Sequence, residues 1–274
     1  MVGQKVLRHF IQGQIDAETF PKFAIFVGEK GSGKKTFVQD VFTSRFWQNI
    51  YHTGTGVDDV RNIIAEANRL RGTRTVFYMP DADSMSLQAQ NALLKVAEEP
   101  PKDTYIILTV EDEHSLLDTI RSRGNIYRME SYTRKDIEAY AKERYRAIEP
   151  YTQIAGELCQ TPGDVNELME YGPQAFYKFV ELVVEHVAVV SLANALKIAN
   201  KVALKDEVDK YSLKMFLRAF LAICGARMLD DSKYLEWSLI TSATIQKVQT
   251  VRGVNKQMLF DSWLFDIREW DDGR

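Results

Sequence analysis

Cysteine is nearly absent: Cys159 and Cys224 are the only two in 274 residues. Two thiols cannot frame a disulfide scaffold or a zinc cluster, so they read as buried free thiols in a reducing compartment. Long apolar runs are missing too, and no stretch approaches the length of a membrane span. Residues 1–14 are polar and amphipathic, which is not the expectation for a signal peptide. An excess of one charge is also lacking: 35 basic against 38 acidic residues leave a net charge of −3. A general nucleic-acid coat is thereby excluded, and any contact with DNA must come from a local patch or a partner. His9, His52, His114 and His186 show no metal-ligand spacing. No repeat or low-complexity tract occurs. These absences point to a cytoplasmic protein that avoids membranes. The apolar share of 45% and the charged share of 27% are ordinary for a globular chain of about two domains.

Residues 23–36 read Phe-Ala-Ile-Phe-Val-Gly-Glu-Lys-Gly-Ser-Gly-Lys-Lys-Thr. An apolar strand, a glycine-rich turn and a helix start form the setting of a phosphate-binding loop. Glycines let backbone N–H groups turn toward an anion. The helix N-terminus adds partial positive charge and Lys34 a full one. Gly28, Lys30, Gly31, Ser32, Gly33, Lys34, Lys35 and Thr36 are the candidate nucleotide-binding residues. One position departs from the motif. The Ser or Thr that would hold Mg²⁺ is replaced by Lys35, and Thr36 comes one residue late, about 100° further round the helix. A plain glycine turn between strand and helix is the alternative reading.

Along the chain, Gln4–Ile15 has helical spacing and Phe46–Tyr51 can form a second strand. A helix over Val57–Leu70, a strand over Thr75–Met79 and a helix over Ser86–Glu99 follow. Thr104–Thr109 and Asn125–Met129 read as strands, with a short helix at Ser115–Ile120 between them. Alternation of this kind predicts a parallel sheet covered on both faces. Thr133 caps a helix to about Tyr145, Tyr151–Gln160 is another, and Pro162 starts a third through Tyr171. From Pro173 onward only helical periodicity remains, broken near Ser191, Lys205, Asp230 and Gly253. Trp237, Trp263 and Trp270 are expected in the core or an interface.

Residues 88–101, Gln-Ala-Gln-Asn-Ala-Leu-Leu-Lys-Val-Ala-Glu-Glu-Pro-Pro, closely resemble a helix of the AAA+ clamp-loader proteins of DNA replication. Residues 106–123, ending Asp-Thr-Ile-Arg-Ser-Arg, resemble the sensor strand and arginine-finger segment of that family. Gly3-Gln4 and Gly28–Thr36 match in order and spacing. The resemblance implies an α/β AAA+ core with a P-loop and parallel sheet over residues 1–130. It implies a small helical lid over 131–172 and an all-α collar for oligomerisation over 173–274. It also implies a pentameric ring with other clamp-loader subunits of a bacterial DNA polymerase III holoenzyme. Through that ring the partners would be a sliding clamp and primer-template DNA, and ATP or ADP would be the cofactor.

By the same resemblance, Arg123 acts in trans on a neighbouring subunit's nucleotide, where a guanidinium fork suits phosphate oxygens. Thr109 takes the sensor position. The acidic metal motif is altered: aligned through Ala82-Asp83, this chain has Pro80 and Asp81, leaving Asp81 as a weak catalytic candidate. The lid arginine falls near Gly163. Missing ligands imply a weak or absent ATPase and no certain Mg²⁺. The four-cysteine zinc module of many bacterial relatives is not expected either. An ATP-hydrolysing motor subunit and a nucleotide-gated scaffold outside replication stand as alternatives. Arg69, Arg71 and Arg74 form a basic cluster that suits either DNA phosphate or a solvated helix end.

Overall fold

The structure is a computed structural model. It describes residues 3–43, 49–70, 74–187, 202–203, 211–250 and 255–272. The chain divides into two compact units, residues 1–132 with 161–163, and residues 133–160 with 164–274.

The first unit opens with helix α1 (Lys5–Asp16), strand β1 (Phe23–Val27) and helix α2 (Lys34–Phe42). Strand β2 (Asn49–His52), helix α3 (Val57–Arg69) and strand β3 (Thr75–Met79) follow. Then come helix α4 (Leu87–Glu98), strand β4 (Thr104–Val110), the one-turn helix α5 (Asp118–Arg121) and strand β5 (Asn125–Arg128). The strands pair in parallel in the order β2-β3-β4-β1-β5. That order puts β1 between β4 and β5. The loop after β1 therefore leaves the carboxyl edge of the sheet beside the ends of both neighbours, where open parallel sheets bind ligands.

Side chains alternate along β1 and build two cores. Phe23 and Ile25 pack with Val60, Ile63 and Leu93 on the face covered by α3 and α4. Ala24 and Phe26 pack with Leu7, Ile11, Phe37 and Val41 on the face covered by α1 and α2. Burial on both faces explains why these strands read as continuous apolar runs. Ser86 caps α4, its hydroxyl accepting from the Ala89 N–H at 3.2 Å.

The sequence reading holds for each of these strands within two residues; of the predicted span Phe46–Tyr51, residues 46–48 lie outside the described residues. The helix expected over Ser115–Ile120 is a correction. It is a 3₁₀ turn at Glu113–Ser115 followed by α5, because Leu116 is extended and interrupts the run.

The second unit holds helices α6 (Arg134–Tyr145), α7 (Tyr151–Leu158), α8 (Pro162–Tyr171, from its third residue on) and α9 (Pro173–His186). Thr133 caps α6 by a reciprocal pair of bonds with Asp136. Strands β6 (Val202–Ala203) and β7 (Tyr211–Ser212) pair in parallel. They correct the all-helical expectation: two residues are too few to show a period. Helices α10 (Leu213–Arg227), α11 (Lys233–Thr250) and α12 (Lys256–Asp272) follow among the described residues. Trp237 and Trp263 are buried as expected, with Trp263 edge-on to Phe216 and Phe220 and donating to the Thr241 hydroxyl at 3.0 Å. The Trp270 side chain and the predicted breaks at Ser191, Lys205 and Gly253 lie outside the described residues.

Candidate phosphate-binding site

Gly28 follows β1 directly, and a Cβ there would lie 2.7 Å from Met129 Cγ. A larger residue would force the Met129 or Ser32 side chain to move. Gly31 and Gly33 take positive φ of 80° and 86°, a region that glycine enters without cost. Gly33 then caps α2. Lys34 is only 8% exposed. Its Nζ donates to the Gly28 carbonyl at 2.7 Å and to the Glu29 carbonyl at 3.0 Å. Burial lowers its pKa, while Glu111, Asp83, Asp81 and Glu29 oppose that shift. The ammonium thus stays close to the loop and loses much of its hydration before any ligand arrives. The third loop carbonyl, on Gly31, accepts from the Gly163 N–H at 3.0 Å. There the two backbones touch: a Cβ on Gly163 would sit 2.5 Å from Gly31 Cα. A side chain at position 163 would force one of the two backbones to move. Lys35 and Thr36 are exposed at the start of α2, as is Lys30 in the loop. Ser32 is buried.

The acidic residues do not fit a magnesium ion. Asp83 is spent on structure: its carboxylate accepts from the Glu111 and Asp112 N–H groups at 2.8 and 3.2 Å and from the Ser115 hydroxyl at 2.9 Å. Pro80 offers no ligand. Asp81 is exposed, with φ of 52°, and its carbonyl accepts from the Ser84 N–H and hydroxyl. Lys35 stands where a hydroxyl ligand would be. Among the described residues no three Asp, Glu, His or Cys side chains converge as a metal site. Thr109 is 1% exposed, and its hydroxyl bonds the Tyr78 hydroxyl at 3.2 Å. This bond holds the end of β4 to the end of β3.

Arg123 lies on the turn after α5, exposed. Its Nη1 donates to the Thr119 carbonyl at 2.8 Å and its Nη2 pairs with Glu98 at 2.6 Å. A solvated pair of this kind is worth about 0.2–1 kcal/mol, so swinging the guanidinium onto another anion costs little. Gly124 packs inward, with Ile25 Cδ1 2.6 Å from where its Cβ would be. The isoleucine tip takes the space a larger residue would need. Arg69 pairs with Glu66, and Arg74 with Glu18, so both are compensated on the surface. Arg71 lies outside the described residues.

Three residues matter here that sequence reasoning did not single out. Glu111 supplies the largest attraction to Lys34. Tyr132 reaches the loop from 100 positions away. Gln90, buried on α4, donates to the Met85 and Ser115 carbonyls at 3.3 and 3.2 Å and accepts from the Leu117 N–H at 2.8 Å. It fastens the segment that leads to Arg123. Gln90→Ala leaves those groups unsatisfied and should cost about 2 kcal/mol, with faster hydrogen exchange over residues 115–124. Exchange there equal to wild type would reject this role.

A family model described as DNA polymerase III, delta subunit matches residues 49–133. The replication factor C small subunit of Methanoculleus marisnigri is 29% identical over 170 residues, 58% of this chain and 52% of its own length. DNA polymerase III subunit delta' of Buchnera aphidicola subsp. Baizongia pistaciae is 32% identical over 91 residues, 32% of this chain and 27% of its own. The delta' subunit of Escherichia coli is 40% identical over 75 residues, 26% of this chain and 22% of its own. The matches thus span about half the length of the first relative and about a quarter of the other two. The likeness carried by residues 88–101 and 106–123 is borne out: this chain resembles the AAA+ clamp-loader proteins.

Proposed function

We propose that this chain is a clamp-loader subunit of the delta-prime kind, a ring member that grips nucleotide phosphate without hydrolysing it efficiently. The Gly-Lys-Lys-Thr loop ending and Thr161-Pro162-Gly163 are of that type. In this reading residues 1–130 are the nucleotide-binding core, 131–172 the lid and 173–274 the collar. The partners are other clamp-loader subunits in a pentameric ring, and through them a sliding clamp and primer-template DNA. ATP or ADP supplies the phosphate anion that the loop and Lys34 receive. One observation supports the reading: Lys34 is buried at the glycine loop with its Nζ on the Gly28 and Glu29 carbonyls, while Pro80 and the exposed Asp81 stand in the acidic positions. Phosphoryl transfer needs a metal ion and an oriented water beside the phosphate, and Lys35 and Pro80 stand where a hydroxyl and an acidic ligand would be expected.

Arg123 is the residue offered to a neighbour. Its weak pairing with Glu98 keeps it displaceable. Arg123→Ala is expected to lower ATP turnover of the assembled loader at least tenfold, since an arginine acting in trans on phosphate contributes strongly. Assembly, read by gel filtration, should be unchanged. Full turnover in the variant complex would remove the role. Steady ATP hydrolysis by the isolated chain, lost in Lys34→Ala, would replace this reading with that of a motor subunit.

A further inference from the structure

The peptide between Ser32 and Gly33 is anchored from outside the loop. The Tyr132 hydroxyl donates to the Ser32 carbonyl at 2.7 Å. A trans peptide is planar, with its carbonyl and the following N–H pointing opposite ways. Holding the Ser32 oxygen therefore sets the direction of the Gly33 N–H at the mouth of α2. Gly33, at φ of 86°, has no side chain to limit rotation by itself. The buried Ser32 hydroxyl has no hydrogen-bond partner, so it adds no tether.

The Tyr132 ring is itself seated. A Cβ on Gly3, at φ of 73°, would fall 2.6 Å from Tyr132 Cε1, so ring and backbone are in contact. Next to Gly3, Gln4 clasps residue 130 at both ends. Its Nε2 donates to the Glu130 carbonyl at 2.6 Å, and its Oε1 accepts from the Glu130 N–H at 2.7 Å. The Leu7 N–H donates to the Glu130 carboxylate at 2.8 Å. The Gly3-Gln4 turn thus fixes the strand end from which Tyr132 reaches the loop.

We propose that Tyr132 is a positioning residue of the anion cradle, aiming the Gly33 amide at nucleotide phosphate through the Ser32–Gly33 peptide, with its ring placed by Gly3. The proposal rests on the nucleotide-binding reading above. Tyr132→Phe keeps the ring and removes one hydroxyl. It should raise hydrogen exchange at residues 32–34 of the free protein about fivefold and weaken ADP binding by a similar factor, with the melting temperature unchanged. Gly3→Ala should reproduce both effects by displacing the ring, and the two changes should not add. Unaltered exchange and ADP affinity in Tyr132→Phe, or additive effects of the pair, would overturn the proposal while leaving nucleotide binding in place. Wild-type protein that takes up no ADP would overturn the nucleotide reading and this proposal together.

Discussion

Lys34→Ala is expected to weaken ATP and ADP binding about a hundredfold. The ammonium is held at the loop by the Gly28 and Glu29 carbonyls and is largely stripped of water. A charge-assisted bond to phosphate formed there contributes about 1.5–3 kcal/mol, and each 1.4 kcal/mol is tenfold in affinity. Lys34→Met keeps the apolar stem and should bind as poorly, which separates lost charge from lost packing. The pH dependence follows from the lowered pKa. A lysine whose folded pKa is depressed gives up its proton sooner as pH rises, so affinity should start to fall below the usual lysine range. Calorimetric titration of both variants and a pH series on the wild type check this. Binding that survives in Lys34→Met would remove phosphate from the site.

The largest stability effect is expected in the second unit. Asp164 and Arg218 form a buried pair through Nη1 at 2.8 Å, with side chains 8% and 7% exposed. Arg218 also donates to the Gln160 side chain. Asp164 has further partners: the Gln160 N–H donates to it at 3.0 Å and Lys214 Nζ stands 3.5 Å away. The partners are unequal, so the two deletions should be unequal. Asp164→Ala strands a buried guanidinium with an amide as its remaining named partner and should cost about 3–5 kcal/mol. Arg218→Met replaces the cation with an apolar chain, while Asp164 keeps the Gln160 N–H and Lys214. That variant should cost no more than about half as much. Urea midpoints decide the order, and equal losses would reject the asymmetry. The same cluster lies beside Cys159, whose thiol burial pushes far above the usual cysteine range. The thiolate form is suppressed, and this cysteine should resist alkylation in the folded protein.

Much of the first unit was legible because its signals are local. Thr75–Met79 is an apolar five-residue run and became β3 residue for residue. Thr133 with Asp136 is a capping pair three apart, and it starts α6. Gly28, Gly31 and Gly33 announced a tight loop, and two of them take the positive φ that favours glycine. The Ser115–Ile120 segment misled because one apolar cluster supports a helix or two short turns equally. The strands β6 and β7 gave no period at all. Roles within the site were harder to read. Asp83 and Asp81 look alike as letters, yet one is bonded to backbone and hydroxyl while the other is exposed.

The sequence alone determined the parallel α/β core, the glycine loop with its lysine, and the departures from the phosphate-loop and acidic motifs at Lys35 and Pro80. Each of these depends on residue type within a few positions, where backbone sterics and side-chain chemistry act directly. Only the tertiary structure decided what holds the loop: Gly163 on the Gly31 carbonyl, Tyr132 on Ser32, and Glu111 facing Lys34. Those contacts join residues about 75 to 130 positions apart. A hydrogen bond depends on distance in space, and that distance exists only after strand order has brought the chain ends of β1, β4 and β5 together.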